Sequence, residues 1–328
     1  MNAFTEGGRG LSEGGHHLGH GQRSPRARPP PDTMLRMDVF LTPAAASPEE
    51  IRRILAEAFR VPVSGVDVSE QSEVRSRNWD ALVTCEYEHL ARAAAGDLSW
   101  VLGVYAAREV ERRPAGEALA VHLAGRLRVP VFHTWDGGLP WINRVALPGG
   151  GVTLARVAEP GGPEAGFSVE AAEAPITGMP HVPVLHLPEV VRAFPVPTPL
   201  TDAVLPTGAV SGPERRARGA LAGWERLCVR LRSGWPPRGW YSAALYAEDL
   251  AWRDTLAAAL ADLPDGLRHE ATGLLRELDG EYRASTLNDA GHALSAALRT
   301  ETATTAPPPG RAWYWNRRPQ YLPWAEPK

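Results

Sequence analysis

The side chains that could do chemistry are few and scattered. Glu86-Tyr87-Glu88-His89 contains one Glu-x-x-His pair. Di-iron carboxylate sites need two such pairs on facing helices and two further glutamates, so a single pair on a strand reads as a solvated face. His16, His17 and His20 are near enough in sequence to share a metal ion, but their Gly-, Arg- and Pro-rich surroundings supply no shell to orient them. His133 and Trp135 border Asp136-Gly137-Gly138 at the end of an apolar run, where ligand loops often sit. That is the most enzyme-like place in the chain. His122, three after Leu119 and one before Leu123, reads as a half-buried structural histidine. Glu248, Asp249 and Asp254 stand near Arg253, and Glu277, Asp279 and Glu281 near Arg276 and Arg283. Paired carboxylates can serve as acid and base, yet interleaved arginines are the mark of surface and interhelical ion pairs. No Gly-x-Ser-x-Gly elbow occurs and no Cys adjoins a His, although a triad built from distant residues shows only in geometry. The residues imply no catalytic group, no cofactor and no metal ligand.

Composition narrows the classes further. The basic residues are 34 Arg and one Lys, and that Lys is Lys328. A P-loop, a pyridoxal phosphate Schiff base and a protein kinase all need a lysine inside the fold. The formal net charge is −3, which gives no general basic field for nucleic acid. Cys85 and Cys228 are far apart and form no Cys-x-x-Cys, against a zinc ribbon, a thioredoxin-like site or a disulfide scaffold. A reducing, cytoplasmic compartment fits that usage. No run of 18 apolar residues occurs, so no membrane span or membrane partner is expected, and the N-terminus has no apolar signal core.

The elements that must position these residues follow from periodicity. Residues 1–33 are too poor in apolar side chains to order themselves and read as a disordered, dispensable tail. Residues 34–160 read as an α+β domain. Leu35 to Thr42 alternates as a strand with one buried face. Ser47, Pro48 and Glu50 form a helix start ahead of the stripe Ile51, Ile54, Leu55 and Phe59. Strands are expected over 65–70, 79–89, 98–107, 129–134, 141–147 and 152–158, with a helix over 117–127. The mixed order suits a largely antiparallel sheet with two helices on one face. In the 79–89 strand, Asp80, Leu82, Thr84, Glu86 and Glu88 share one side while Ala81, Val83, Cys85 and Tyr87 face the core.

Prolines crowd residues 161–210, which read as an extended strap packed on the domains. Residues 211–299 read as a four-helix bundle, with Ser211, Ser242 and Asn288 as caps and Gly234-Trp235-Pro236-Pro237 ending the first helix. Its 12 Arg balance 12 acidic residues. Residues 300–328 read as an aromatic strap, with Trp313, Trp315, Arg317 and Trp324 as structural anchors.

The run Tyr246-Ala247-Glu248-Asp249-Leu250-Ala251-Trp252-Arg253-Asp254 is followed by Leu274-Leu275-Arg276-Glu277-Leu278-Asp279 and by the Trp313-Tyr314-Trp315-Asn316-Arg317-Arg318-Pro319 ending. Together they resemble helical immunity proteins of bacterial polymorphic toxin systems, over about residues 220–324. The front domain is similar to an α+β immunity module around Leu98 to Gly103 and Glu117 to Trp141. The resemblance implies two tandem modules that bind and neutralise a cognate toxin, and it brings no catalytic residues.

Three functions follow as expectations. The first is a non-catalytic, immunity-like protein. Residues 34–174 hold 14 Arg against 19 acidic residues, and an acidic surface suits a basic protein partner; Asp80, Glu86 and Glu88 are the candidate partner-binding residues. The second is a hydrolase-like enzyme with a pocket between sheet and bundle that gathers His133, Asp136 or His122. The third is a nucleic-acid adaptor using an exposed C-terminal aromatic and arginine tail.

Overall fold

Two helical crossovers organise the sheet. The chain runs β1 (Met34–Thr42), α1 (Pro48–Phe59), β2 (Val66–Glu70), β3 (Val83–His89), β4 (Trp100–Ala107), α2 (Gly116–Leu127), β5 (Val131–Thr134), β6 (Ile142–Ala146), β7 (Val152–Ala158) and β8 (Ser168–Ala172). In this computed structural model, described for residues 34–44, 46–73, 75, 77–90, 96–158, 166–205, 207–208, 212–302 and 312–325, the fold is α+β. The eight strands lie in the order β2-β3-β4-β1-β5-β6-β7-β8. Every pairing is antiparallel except β2 with β3. The crossovers β1–α1–β2 and β4–α2–β5 travel in opposite senses from antiparallel strands. A common right hand therefore puts both helices on one face.

Local chemistry sets the ends of these elements. Ser47 accepts the Glu50 amide at the start of α1 and Pro48 occupies its first turn. Ile51, Ile54, Leu55 and Phe59 are buried with Phe40, Cys85, Leu102, Val104 and the α2 residues Leu119 and Leu123. Between β6 and β7, Gly150 and Gly151 both have φ of +88°, a turn conformation that favours glycine. The 79–89 strand begins only at Val83. Asp80 lies in the turn before it, where its amide donates to Asn78 Oδ1 at 3.1 Å.

The sheet also runs past residue 160, because β8 pairs with β7 inside the segment expected as strap. The rest of the Pro-rich segment includes two short helices, α3 (Pro188–Ala193) and α4 (Pro199–Val204), each opened by proline. Ile176, Met179 and Val182 lie over Leu98, Phe132, Val145, Ala155 and Val169 on the sheet face opposite α1 and α2. This cover stops half-way along the sheet.

The C-terminal bundle comprises α5 (Gly212–Ser233), α6 (Ala243–Ala261), α7 (Asp265–Ala284) and α8 (His292–Thr302). Ser242 caps α6 by accepting the Leu245 amide. Asp289, not Asn288, caps α8, accepting the amides of Gly291 and Ala293. Asn288 is drawn into a short strand, β9 (Thr286–Asn288), paired with β10 (Arg317–Pro319). Inside the bundle Trp224, Tyr246 and Tyr282 are fully buried. Tyr246 and Tyr282 share a hydroxyl hydrogen bond of 2.5 Å, and Tyr282 donates onward to the Tyr314 carbonyl. Glu225, buried in α5, accepts the Leu200 and Thr201 amides at 3.0 and 2.8 Å and so ties the strap to the bundle.

The terminal aromatic segment closes this core. Trp315 is 5% exposed and its indole N–H donates to both Asp254 oxygens at 3.1 Å. Trp313 packs beneath Arg283, and Trp324 lies 5.4 Å from the Tyr246 ring. Arg317 donates to Thr286 Oγ1, to the Thr286 carbonyl and to the Arg283 carbonyl. Trp315→Ala removes a buried ring and leaves Asp254 short of a donor. It is expected to cost about 3–5 kcal/mol in chemical denaturation, with the loss confined to the bundle transition if the two halves unfold separately.

Candidate binding face

The uncovered half of the sheet face is built by β2, β3, β4 and β1. Register places Ser69, Glu86, Gly103 and Val39 in one row, and puts Thr84 opposite Tyr105 and Glu88 opposite Val101 in the flanking rows. Among the described residues no helix or strap segment packs over these rows. Gly103 carries no side chain, and the Tyr105 ring lies where a Cβ there would meet it at 3.5 Å. The Tyr105 hydroxyl reaches within 3.5 Å of Glu86 Oε2. From the β2–β3 connection Arg77 folds back onto the face, donating through Nη1 to Glu86 and through Nε to Ser69 at 3.2 Å. Its guanidinium lies 5.0 Å from the Trp79 ring. Ser69 in turn donates to Asp67 at 3.0 Å. The depression over Glu86, Glu88, Val101 and Tyr105 holds only about 130 Å³, a shallow surface and not a substrate pocket.

This geometry sorts the three acidic candidates. Glu86 is held by a buried arginine, so it is an internal partner. Asp80 is exposed but stands in the turn, off the face that alternation assigned to it. Glu88 is exposed on the strand face itself. Behind them, burial and the nearby Glu86 and Asp67 charges push the Cys85 thiol up to about 12, which leaves it inert. Arg77, Tyr105, Val39 and Val101 were not singled out by sequence. Only the strand alternation could have pointed to the last three, and nothing local marks Arg77.

The enzyme-like candidates do not assemble. His133 is 5% exposed and its Nε2 is sealed without a hydrogen-bond partner. Burial holds it below the usual imidazole range, against the pull of Asp38. Asp136 is bound by Arg144 at 2.8 Å, and that hydrogen bond keeps its carboxyl low. Arg144 also pairs with Glu117. His122 lies elsewhere, 4.0 Å from Glu57 of α1. A cavity of about 300 Å³ does exist between sheet and bundle, lined by Trp135, Thr153, Phe194 and the cations Arg144 and Arg238, with no carboxylate or histidine in its wall. No cluster of three or more His, Cys, Asp or Glu suited to a metal occurs among the described residues. No helix among them is long and apolar enough to cross a membrane.

The bundle carboxylates are spent on structure. Arg253 holds Asp279 through two bonds of 2.9 and 2.8 Å, Arg192 pairs with Glu248, and Arg232 pairs with Glu281 at 3.0 Å. Asp254 takes the Tyr314 hydroxyl and the Trp315 indole. Asp249 accepts the Tyr241 hydroxyl at 2.5 Å. A comparison with family models, curated proteins and solved structures finds no match to this chain.

Asp249 makes stability depend on pH in an unusual direction. Burial raises its carboxyl to about 6, outweighing the lowering by the Tyr241 hydrogen bond and by Arg230, Arg192 and Arg226. The folded chain therefore holds this proton more tightly than the unfolded chain, whose value is near 3.8. Its contribution is greatest below that value and is lost as pH rises through about 6. Asp249→Asn keeps an acceptor for Tyr241 and removes the charge. It is expected to raise the melting temperature at pH 7.5 by several degrees more than at pH 4.5. Equal shifts at both pH values would show that Asp249 does not titrate in this range.

Proposed function

We propose that this chain is a non-catalytic, cytoplasmic protein-binding protein of immunity type, which neutralises a basic toxin by covering it with the open half of the sheet. The observation that carries the reading is this uncovered, shallow and acidic strand surface. Apolar Val39 and Val101 and the ring of Tyr105 lie beside Glu88 and the Arg77–Glu86 pair. Interfaces of this kind combine an aromatic centre with a charged rim. Acidic groups on the rim steer a basic partner and set the salt dependence of the encounter.

The internal pairing elsewhere supports a binding role over a chemical one. Asp136, Glu117, Asp254, Asp279 and Glu248 each meet an arginine or an aromatic donor within the chain. His133, in β5, is sealed and uncharged at neutral pH. Trp313, Tyr314, Trp315 and Trp324 lie against the bundle, so of the C-terminal aromatics only Tyr321, 84% exposed, is open to stacking with a base among the described residues.

The test is a titration against the product of the neighbouring gene at two salt concentrations. Asp80→Arg with Glu88→Arg is expected to leave the melting temperature within about 2 °C, because both residues are exposed. It is expected to slow association about 10-fold or more at low salt and to flatten the salt dependence. Unchanged kinetics in the double variant would remove this face from the interface.

A further inference from the structure

We infer that the chain carries its own occupant for the open face, the basic stretch of residues 14–31 that precedes β1. The inference rests on the reading of this face as a seat for basic polypeptide and names a second ligand for it within the same chain. Residues 14–31 contain Arg23, Arg26, Arg28, His16, His17 and His20 and no acidic residue. Pro25 and Pro29-Pro30-Pro31 punctuate the arginines. Such a stretch prefers an extended polyproline conformation, which leaves its carbonyls unpaired and docks readily on aromatic-lined surfaces.

Topology brings the two together. Met34 pairs with Ala107 of β4, and the neighbouring Ala106 pairs with Val83 of β3. The tail therefore enters the sheet beside the start of β3, on the strand two places away. Two strand spacings of about 4.8 Å and four residues of rise separate Met34 from Glu86, about 17 Å in all. Six residues link Arg28 to Met34, and extended chain spans up to about 20 Å over that length. The length of chain thus allows Arg28 to come to the row of Glu86, and Arg26 and Arg23 to extend beyond it to Glu88 and Asp67.

The chemistry of the face fits this occupant. Glu88 is exposed and Asp67 has only the Ser69 hydroxyl as a side-chain hydrogen-bond donor among the described residues, so both can take a guanidinium. The Tyr105 ring and Val101 offer a proline an apolar floor. A tether this short also holds the basic stretch at high effective concentration, so modest affinity is enough to keep the face occupied. The tail then acts as a competitor that a basic partner displaces, and it shields the open sheet from indiscriminate cationic contacts.

Limited trypsin digestion of the full chain tests this with no partner present, so its outcome is separate from that of the toxin titration. Trypsin cuts after Arg9, Arg23 and Arg26, while Arg28 is followed by proline. A free peptide of residues 1–33 gives the undocked rates. At about 20 mM salt, cleavage after Arg23 and Arg26 in the full chain is expected to be about 3- to 10-fold slower than in the peptide, with Arg9 little affected; at about 500 mM salt the protection disappears. Asp67→Asn with Glu88→Gln is expected to abolish the protection. Should that variant lose its native melt, Arg28→Gln in the otherwise native chain decides the matter, since it weakens docking without touching the fold. Equal rates in chain and peptide at low salt would overturn the proposal, and protection that survives both variants would seat the tail elsewhere.

Discussion

A sheet of eight strands has two faces, and apolar cover for both must come from the same chain. Here that supply runs out half-way. One face receives α1 and α2, whose stripes bury Phe40, Cys85, Leu102 and Val104. Among the described residues the other receives the turn around Ile176, Met179 and Val182, which packs on β5 to β8. The remaining rows on β2, β3, β4 and β1 receive no such apolar cover among the described residues; Ser69 and Thr84 are buried beside Arg77 and Tyr105, and Glu88 is exposed. Thr84, Glu86 and Glu88 stand where the covered half carries Phe132, Val145 and Ala155. The change from apolar to polar between the two halves of one face is what the proposed binding role rests on.

The bundle solves a different problem. Its polar groups are numerous and its net charge is near zero, so stability depends on finding a partner for each buried charge. Arg253 is the clearest case. It binds Asp279 with both arms of its guanidinium, while the rings of Trp224 and Tyr314 lie 5.9 and 5.1 Å away. Planar, delocalised cations tolerate this mixture of carboxylate and ring better than a lysine ammonium does. Arg230 and Arg283 repeat the ring half of the device, over Tyr241 and Trp313, with Arg230 donating to the Pro236 and Val191 carbonyls in place of a carboxylate. In the terminal segment Trp313 and Tyr314 are therefore lids of cation sites as well as apolar cover.

Much of this architecture was legible in the sequence because it rests on local chemistry. Ser47 and Ser242 cap helices from within three residues of the amides they accept, and the alternation of Leu35 to Thr42 needs only period two. The misreadings occur where a distant partner decides. Asn288 has the chemistry of a cap, but β10 draws it into a strand and leaves the role to Asp289. The stretch 168–172 is flanked by Pro and Gly and is short, so only the waiting edge of β7 makes it a strand. On the candidate face, alternation placed Glu86 and Glu88 together correctly, yet Arg77 returns from nine residues upstream through a connection without regular structure. No periodicity encodes such a return.

That arginine also decides how the face works. An exposed row of carboxylates alone would repel itself and give any cation a diffuse welcome. Arg77 neutralises Glu86, tethers Ser69 and holds Trp79 against the sheet, so the centre of the row becomes a rigid, nearly neutral patch. Charge is thereby moved to the periphery, where Glu88, Asp80 and the β2 carboxylate Asp67 remain. A fixed centre lowers the conformational entropy lost on docking, and peripheral charge acts mainly on the rate of encounter. In the binding role proposed for this face, the arrangement would separate two tasks: approach would belong to the rim acids, and fit to the rows that Arg77 locks in place.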